Sequence, residues 1–147
     1  MEHRTIALGC GGRDCVVEIA EYAWIARMLG ILNVVELIDG GAPGADTIFH
    51  RLAIHEGIGS VRFFPNWKRW GKRAGPIRNA TQLQYLLWRA DTLGVTPFVC
   101  ALPGGTGTAD MVRQARAYDV RVIILAHATM NGILPQSRED LVDAHLL

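Results

Sequence analysis

The segment that most constrains this chain is Ala101–Met111, ALPGGTGTADM. An apolar run, Pro97–Ala101, leads into it and a helical pattern leaves it, so it reads as a buried strand end, a glycine-rich turn and a helix start. Gly104, Gly105 and Gly107 lack a Cβ, so the turn is expected to use positive φ and to admit a ligand close to the backbone. The first N–H groups of a helix have no intrahelical acceptor, and the helix dipole makes the space before them favourable to an anion. Pro103 leads the turn, and Thr106 and Thr108 add hydroxyls of the kind that hold phosphate oxygens. By itself the segment is equally an ordinary strand-to-helix turn with Thr108 or Asp110 as its cap.

The same construction occurs twice upstream. Thr5–Leu8 runs into Gly9-Cys-Gly-Gly-Arg-Asp14, and Val34–Asp39 runs into Gly40-Gly-Ala-Pro-Gly-Ala-Asp46. The first turn is not a GxGxxG fingerprint, because Asp14 stands where the third glycine belongs. Helical spacing of Val16, Ile19, Ala20, Ala23, Trp24 and Met28 predicts a helix over 16–29, stopped by Gly30. A second helix is predicted from about Asp46 to Glu56, closed by Gly57. A third has Pro76 in its first turn and Leu83, Leu86 and Leu87 on its apolar face, and a fourth runs from about Asp110 to Tyr118. Ser60–Phe64, Pro97–Ala101 and Val120–Leu125 complete the strands. The tail reads as a loop over Met130–Pro135 and a short helix over Arg138–Leu147.

Apolar strands alternating with helices imply an α/β architecture: a single Rossmann-like, three-layer domain with a mostly parallel five-stranded sheet and helices on both faces. It is expected to span 1–147, with its core at about 5–125 and a C-terminal loop and helix over 126–147. Ligands of such sheets sit beyond the carboxyl ends of the strands, and all three glycine turns open on that edge.

Composition narrows the classes. The 147 residues are 50% hydrophobic and 20% charged, enough for a core without crosslinks and unlike a disordered chain. The three cysteines form no CxxC pair and the five histidines no ligand spacing, which fits reduced thiols and no metal site. No apolar stretch reaches membrane-spanning length and no signal peptide is evident, so a soluble, cytoplasmic protein is expected. The formal net charge is only +1, yet its distribution is uneven. Between Glu56 and Asp91 there is no acidic residue, while Arg62, Lys68, Arg69, Lys72, Arg73, Arg78 and Arg89 all lie there. Trp67 and Trp70 interleave with this charge, a pattern that suits either a solvated face or a grip on phosphate and single strands. Trp24 and Trp88 read as core or subunit-contact residues.

With these loops in view, the chain resembles the SLOG superfamily, the Rossmann-like group that includes LOG-type (lysine-decarboxylase-like) proteins and the DprA nucleotide fold. Its small YspA-like branch, common in bacteria and phages, is the nearest match. The resemblance rests on Cys10-Gly-Gly-Arg-Asp14, Gly40–Asp46, Trp67 with Gly71-Lys72, Ala74-Gly-Pro-Ile-Arg-Asn79, and Pro103–Met111, covering about residues 5–125 in order. It implies a nucleotide-derived ligand, NAD- or ADP-ribose-like or a nucleoside phosphate, and an even-numbered homo-oligomer. LOG enzymes cleave N-glycosidic bonds with an arginine and the glutamate of PGGxGTxxE. Arg78 matches the arginine, whereas Met111 stands at the glutamate position with Asp110 just before it.

Binding is therefore the first reading: a sensor, sequestering or carrier protein. Phosphates are expected on the amides of Gly104–Thr108 and of Gly11–Gly12, with Arg13, Lys72, Arg78 and Asn79 adding donors. Asp46 or Asp110 is expected at the sugar and Trp67 at the base. Gly40, Gly41, Gly44 and Asp14 belong to the same edge, the three aspartates reading either as helix caps or as ligand contacts. No cofactor is required, and Mg²⁺ enters only with a phosphate ligand. The second reading is an N-glycosidic-bond hydrolase using Arg78 with Asp110 or Asp46. A DprA-like single-strand binding module comes third, because the net charge is near neutral.

Overall fold

The computed structural model describes residues 3–147. Five strands, β1 (Thr5–Cys10), β2 (Val34–Asp39), β3 (Gly59–Arg62), β4 (Thr96–Ala101) and β5 (Arg121–Ile124), form one sheet in the order β3-β2-β1-β4-β5. Every neighbouring pair is parallel, so the sheet is wholly rather than mostly so. The helices are α1 (Ile19–Ile31), α2 (Ala45–Glu56), α3 (Trp67–Trp70), α4 (Ala74–Leu93), α5 (Thr106–Ala117), α6 (His127–Met130) and α7 (Arg138–Asp143), with a 3₁₀ turn at Gly71–Arg73.

Alternate residues of the strands feed two cores. Ile6 and Leu8 of β1 and Val99 of β4 pack with Leu83, Leu86 and Ala90 of α4 and with Met111 and Ala115 of α5. Ala7, Phe98 and Cys100 point the other way, onto Trp24, Ile25 and Met28 of α1 and Phe49 and Leu52 of α2. Period-two strands between two amphipathic layers give the three-layer sandwich. A charged residue in β2 is accommodated because α4 covers it: Tyr85 donates to Glu36 at 2.5 Å and Arg89 at 3.1 Å.

The chain winds β1, β2, β3 in one direction, then crosses over through α4 and starts again at β4 on the other side of β1. The reversal lies between β1 and β4, the position at which open parallel sheets form their ligand crevice.

Local structure departs from expectation where capping chemistry decides. α1 begins at Ile19, because Glu18 and Glu21 form a reciprocal capping box there; Val16 and Ile19 are consequently exposed rather than inward. α5 begins at Thr106, so Thr108 and Asp110 lie inside it and neither caps it. Gly44 holds the N-cap of α2, leaving Asp46 in its first turn, and Asp14 precedes α1 in a loop. The basic segment expected as a loop folds into α3, the 3₁₀ turn and the start of α4. In the tail, Met130 belongs to α6 and Leu141 to α7, both buried in the core, and α7 ends at Asp143. Trp24 is core, whereas Trp88 is 59% exposed. Among the described residues no helix is long and apolar enough to cross a membrane.

Candidate functional site

The turns after β1 and β4 meet at the reversal point. Leu102 N–H donates to Cys10 O at 2.9 Å, and Gly12 N–H donates to Pro103 O at 2.8 Å. The Gly12 carbonyl accepts from Cys15 N–H and from Ala45 N–H, the first amide of α2. The Gly12 amide is therefore spent on the scaffold, not free for a phosphate as the sequence suggested. Gly44 allows this junction: its φ is +75°, and a Cβ there would collide with the carbonyl oxygens of Gly12 and Arg13.

A cleft of about 1270 Å³ opens above this junction. One wall is the start of α5. Gly105 is its N-cap and supplies no side-chain hydrogen bond, so the N–H groups of Thr106, Gly107 and Thr108 have no acceptor among the described residues and face the cleft. None of Gly104, Gly105 and Gly107 uses positive φ. Their value is spatial. A Cβ at Gly104 would strike Thr108 Oγ1 and Gly12 N, while the positions beside Gly105 and Gly107 are open space over the amides.

The adjoining wall is the first turns of α4, packed beside α5 on the same face of the sheet. Arg78 donates from Nη1 to Gly40 O and from Nε to Asn79 Oδ1 at 3.2 Å, and Nη1 lies 4.0 Å from Asp46 Oδ2. This leaves Nη2 without a protein partner among the described residues. Burial pulls the guanidinium's pKa below its ordinary value, and Asp46 opposes that pull. Gly40 thus sits behind the cleft as the seat of Arg78, where any Cβ would displace the guanidinium; Gly44 is likewise behind it.

Asp46 is on the cleft floor, 6% exposed, and accepts from Ala42 N–H at 3.0 Å. Burial raises its pKa to about 6, against the opposing Ala42 amide and Arg78. Asp39, close by at the end of β2, is held by Arg62 at 2.9 Å and by Gly41 N–H at 2.7 Å. Asp110 is committed elsewhere. It accepts from Asn79 at 2.9 Å, Gln114 at 2.7 Å and Arg113 at 2.6 Å, so it positions Asn79, and through it Arg78, rather than presenting a free carboxylate. Met111 is 1% exposed and forms part of the floor.

The rim carries Arg13, Asp14, Gly41, Lys72 and Trp67. Trp67 is 47% exposed and lies across Gly75. Trp70 is absent from the cleft: Arg69 and Arg73 stack on its ring at 4.6 and 5.7 Å, so the interleaved tryptophan–arginine run is folded on itself.

Among the lining residues that the sequence did not assign to the site, Phe64, Cys10, Gln82 and His127 carry functional groups of interest. Phe64, two residues past the end of β3, is an exposed aromatic with the Arg62 guanidinium over its ring. Cys10 ends β1 in the floor, where burial pushes its thiol up to about 12. Gln82 lies one turn beyond Arg78 on α4. His127, at the far end, sets Nδ1 2.5 Å from Glu21 Oε2, a buried carboxylate that also receives Asn131. The i, i+4 spacing from Arg78 was a signal for Gln82; the pairing of His127 with Glu21 spans 106 residues and has no local signature. Among the described residues no group of three or more His, Cys, Asp or Glu side chains forms a metal site.

No family model matches the chain, and no curated protein matches it in sequence. Among solved structures, the X-ray structure of TM1055 is similar with a TM-score of 0.55 at 15% identity, covering 97% of this chain and 98% of that one. The X-ray structure of DNA processing protein A (DprA) from Streptococcus pneumoniae aligns with a TM-score of 0.44 at 15% identity, over 95% of this chain and 61% of that one. The likeness to TM1055 concerns the fold alone: this chain has the single-domain, three-layer Rossmann-like α/β fold that the alternation of strands and helices implied.

Proposed function

We propose that the cleft binds a nucleotide-derived small molecule. The observation that carries this reading is the convergence of three unpartnered α5 amides and the Arg78 guanidinium on one cleft at the reversal point of a parallel sheet. Phosphate oxygens sit on the amides of Thr106, Gly107 and Thr108, with Arg78 and Lys72 adding charge-assisted bonds. The sugar lies toward Asp46, whose ionised form would repel phosphate. The base lies toward Trp67 and Phe64, two exposed aromatic faces at the mouth. Mg²⁺ enters only as a companion of the phosphates, and the even-numbered oligomer remains part of the proposal, to be checked by light scattering.

A hydrolase reading is favoured by one specific feature, the raised pKa of Asp46 in the same cleft. It replaces Asp110, whose oxygens are occupied.

The test is titration calorimetry and mass spectrometry with AMP, NAD and ADP-ribose. Ligand recovered intact at about one per site supports the binder; free base released by the wild type and not by Asp46→Asn supports the hydrolase. Arg78→Ala is expected to weaken binding at least about tenfold, the loss of one charge-assisted bond. Gly105→Asp has open space for its side chain and places a capping carboxylate over the α5 amides. It should therefore fold at least as stably and bind no phosphate ligand. Full affinity in both variants refutes the site.

A further inference from the structure

The fold leaves one enclosed polar group unanswered. Thr5, Glu21, Glu36, Asp39, Asp46 and Asn79 are buried, and each makes hydrogen bonds. Gln82 is the exception. It is 2% exposed, and its Nε2 is the only enclosed side-chain nitrogen or oxygen without a partner among the described residues. No side-chain hydrogen bond reaches its Oε1 either among the described residues. An unpaired amide in an apolar setting is unfavourable, and leucine at this position would simply extend the packing of Leu83 and Leu86. The side chain also lines the cleft floor, on the α4 face that carries Arg78 and Asn79.

Such a group is satisfied when a ligand supplies its partner, and the surroundings restrict what that partner is. Asp46 lines the same floor. Its carboxylate form repels phosphate and accepts hydrogen bonds, whereas the Gln82 amide donates one. A hydroxyl answers both, accepting from Gln82 Nε2 while donating to Asp46. On a nucleotide that hydroxyl belongs to ribose. Resting on the nucleotide-binding reading above, we propose that Gln82, together with Asp46, reads a ribose hydroxyl and makes the site selective for ribonucleotides over deoxyribonucleotides.

The experiment compares AMP, 2′-deoxy-AMP and 3′-deoxy-AMP by calorimetry on wild type and Gln82→Leu, with thermal denaturation of both proteins free of ligand. Wild type is expected to bind AMP at least about tenfold more tightly than one of the deoxy analogues. In Gln82→Leu the two affinities should fall within about twofold of each other, and the ligand-free melting temperature should hold or rise. The proposal is overturned if wild type binds AMP without discriminating either analogue, or if Gln82→Leu keeps the discrimination. It is also overturned if the variant melts several degrees lower, since the amide would then have a structural partner. Failure of wild type to bind AMP, NAD or ADP-ribose is a different result: it removes the nucleotide reading itself and this inference with it.

Discussion

Asp46→Asn isolates the electrostatic cost built into the cleft floor. The carboxyl has a pKa near 3.8 in the unfolded chain and about 6 in the folded protein, with burial as the main cause. Between these values the folded state holds the proton more tightly than the unfolded state does. Stability is therefore fully present below about pH 4 and is lost as the pH rises through 6. A difference of about two units at about 1.4 kcal/mol each gives about 3 kcal/mol by pH 8. Asparagine is neutral throughout and still offers an oxygen to Ala42 N–H. Wild type and variant should thus be close in stability at about pH 3, differ by about 1 kcal/mol at about pH 4.5, and diverge to about 2–3 kcal/mol in favour of the variant at about pH 8. Urea denaturation of both proteins at half-unit intervals measures the difference directly. The other titrating groups, including Glu21 with its lowered pKa, act equally in both and cancel. Parallel profiles, or a variant that is less stable at pH 8, would refute the reasoning.

Three further outcomes follow from the geometry. Gly44→Ala should cost about 2–4 kcal/mol in denaturation experiments, because φ is +75° and the new Cβ meets two carbonyl oxygens. Trp24→Ala should cost about 3–5 kcal/mol, since the ring is 2% exposed, while Trp88→Ala, at 59% exposure, should cost less than about 1 kcal/mol. In the native protein at pH 8 a maleimide should label Cys15, half-buried in the cleft wall, well before the enclosed Cys10 and Cys100. Bound AMP should slow that labelling; peptide mass spectrometry identifies the modified thiol.

The readable parts of the site were those encoded by local chemistry. A glycine turn after an apolar strand fixes both the turn and its edge of the sheet, so the amides of Thr106–Thr108, Arg78 and Trp67 were all placed at the cleft by sequence reading. Roles that depend on partners distant in sequence were not readable. Asp46 and Asp110 look alike as acids ending glycine turns. In the folded chain Asp110 is tied by Asn79, Arg113 and Gln114, while Asp46 is buried with a raised pKa. Gly12 looked like an anion donor until its amide met Pro103 O, 91 positions away. Gly40 looked like a lining residue and proved to be the seat of Arg78.

By itself, then, the sequence determined the alternation of strands and helices, the parallel sheet and the edge of it on which the cleft opens. Apolar period and glycine placement act within a few residues of each other. Only the tertiary structure decided which donors stay free, which carboxyl has its pKa raised by burial to about 6, and that Gln82 is left unpaired. Those properties are set by desolvation and by hydrogen-bond competition among groups brought together from β1, β2, α2, α4 and α5, and no single stretch of the chain contains them.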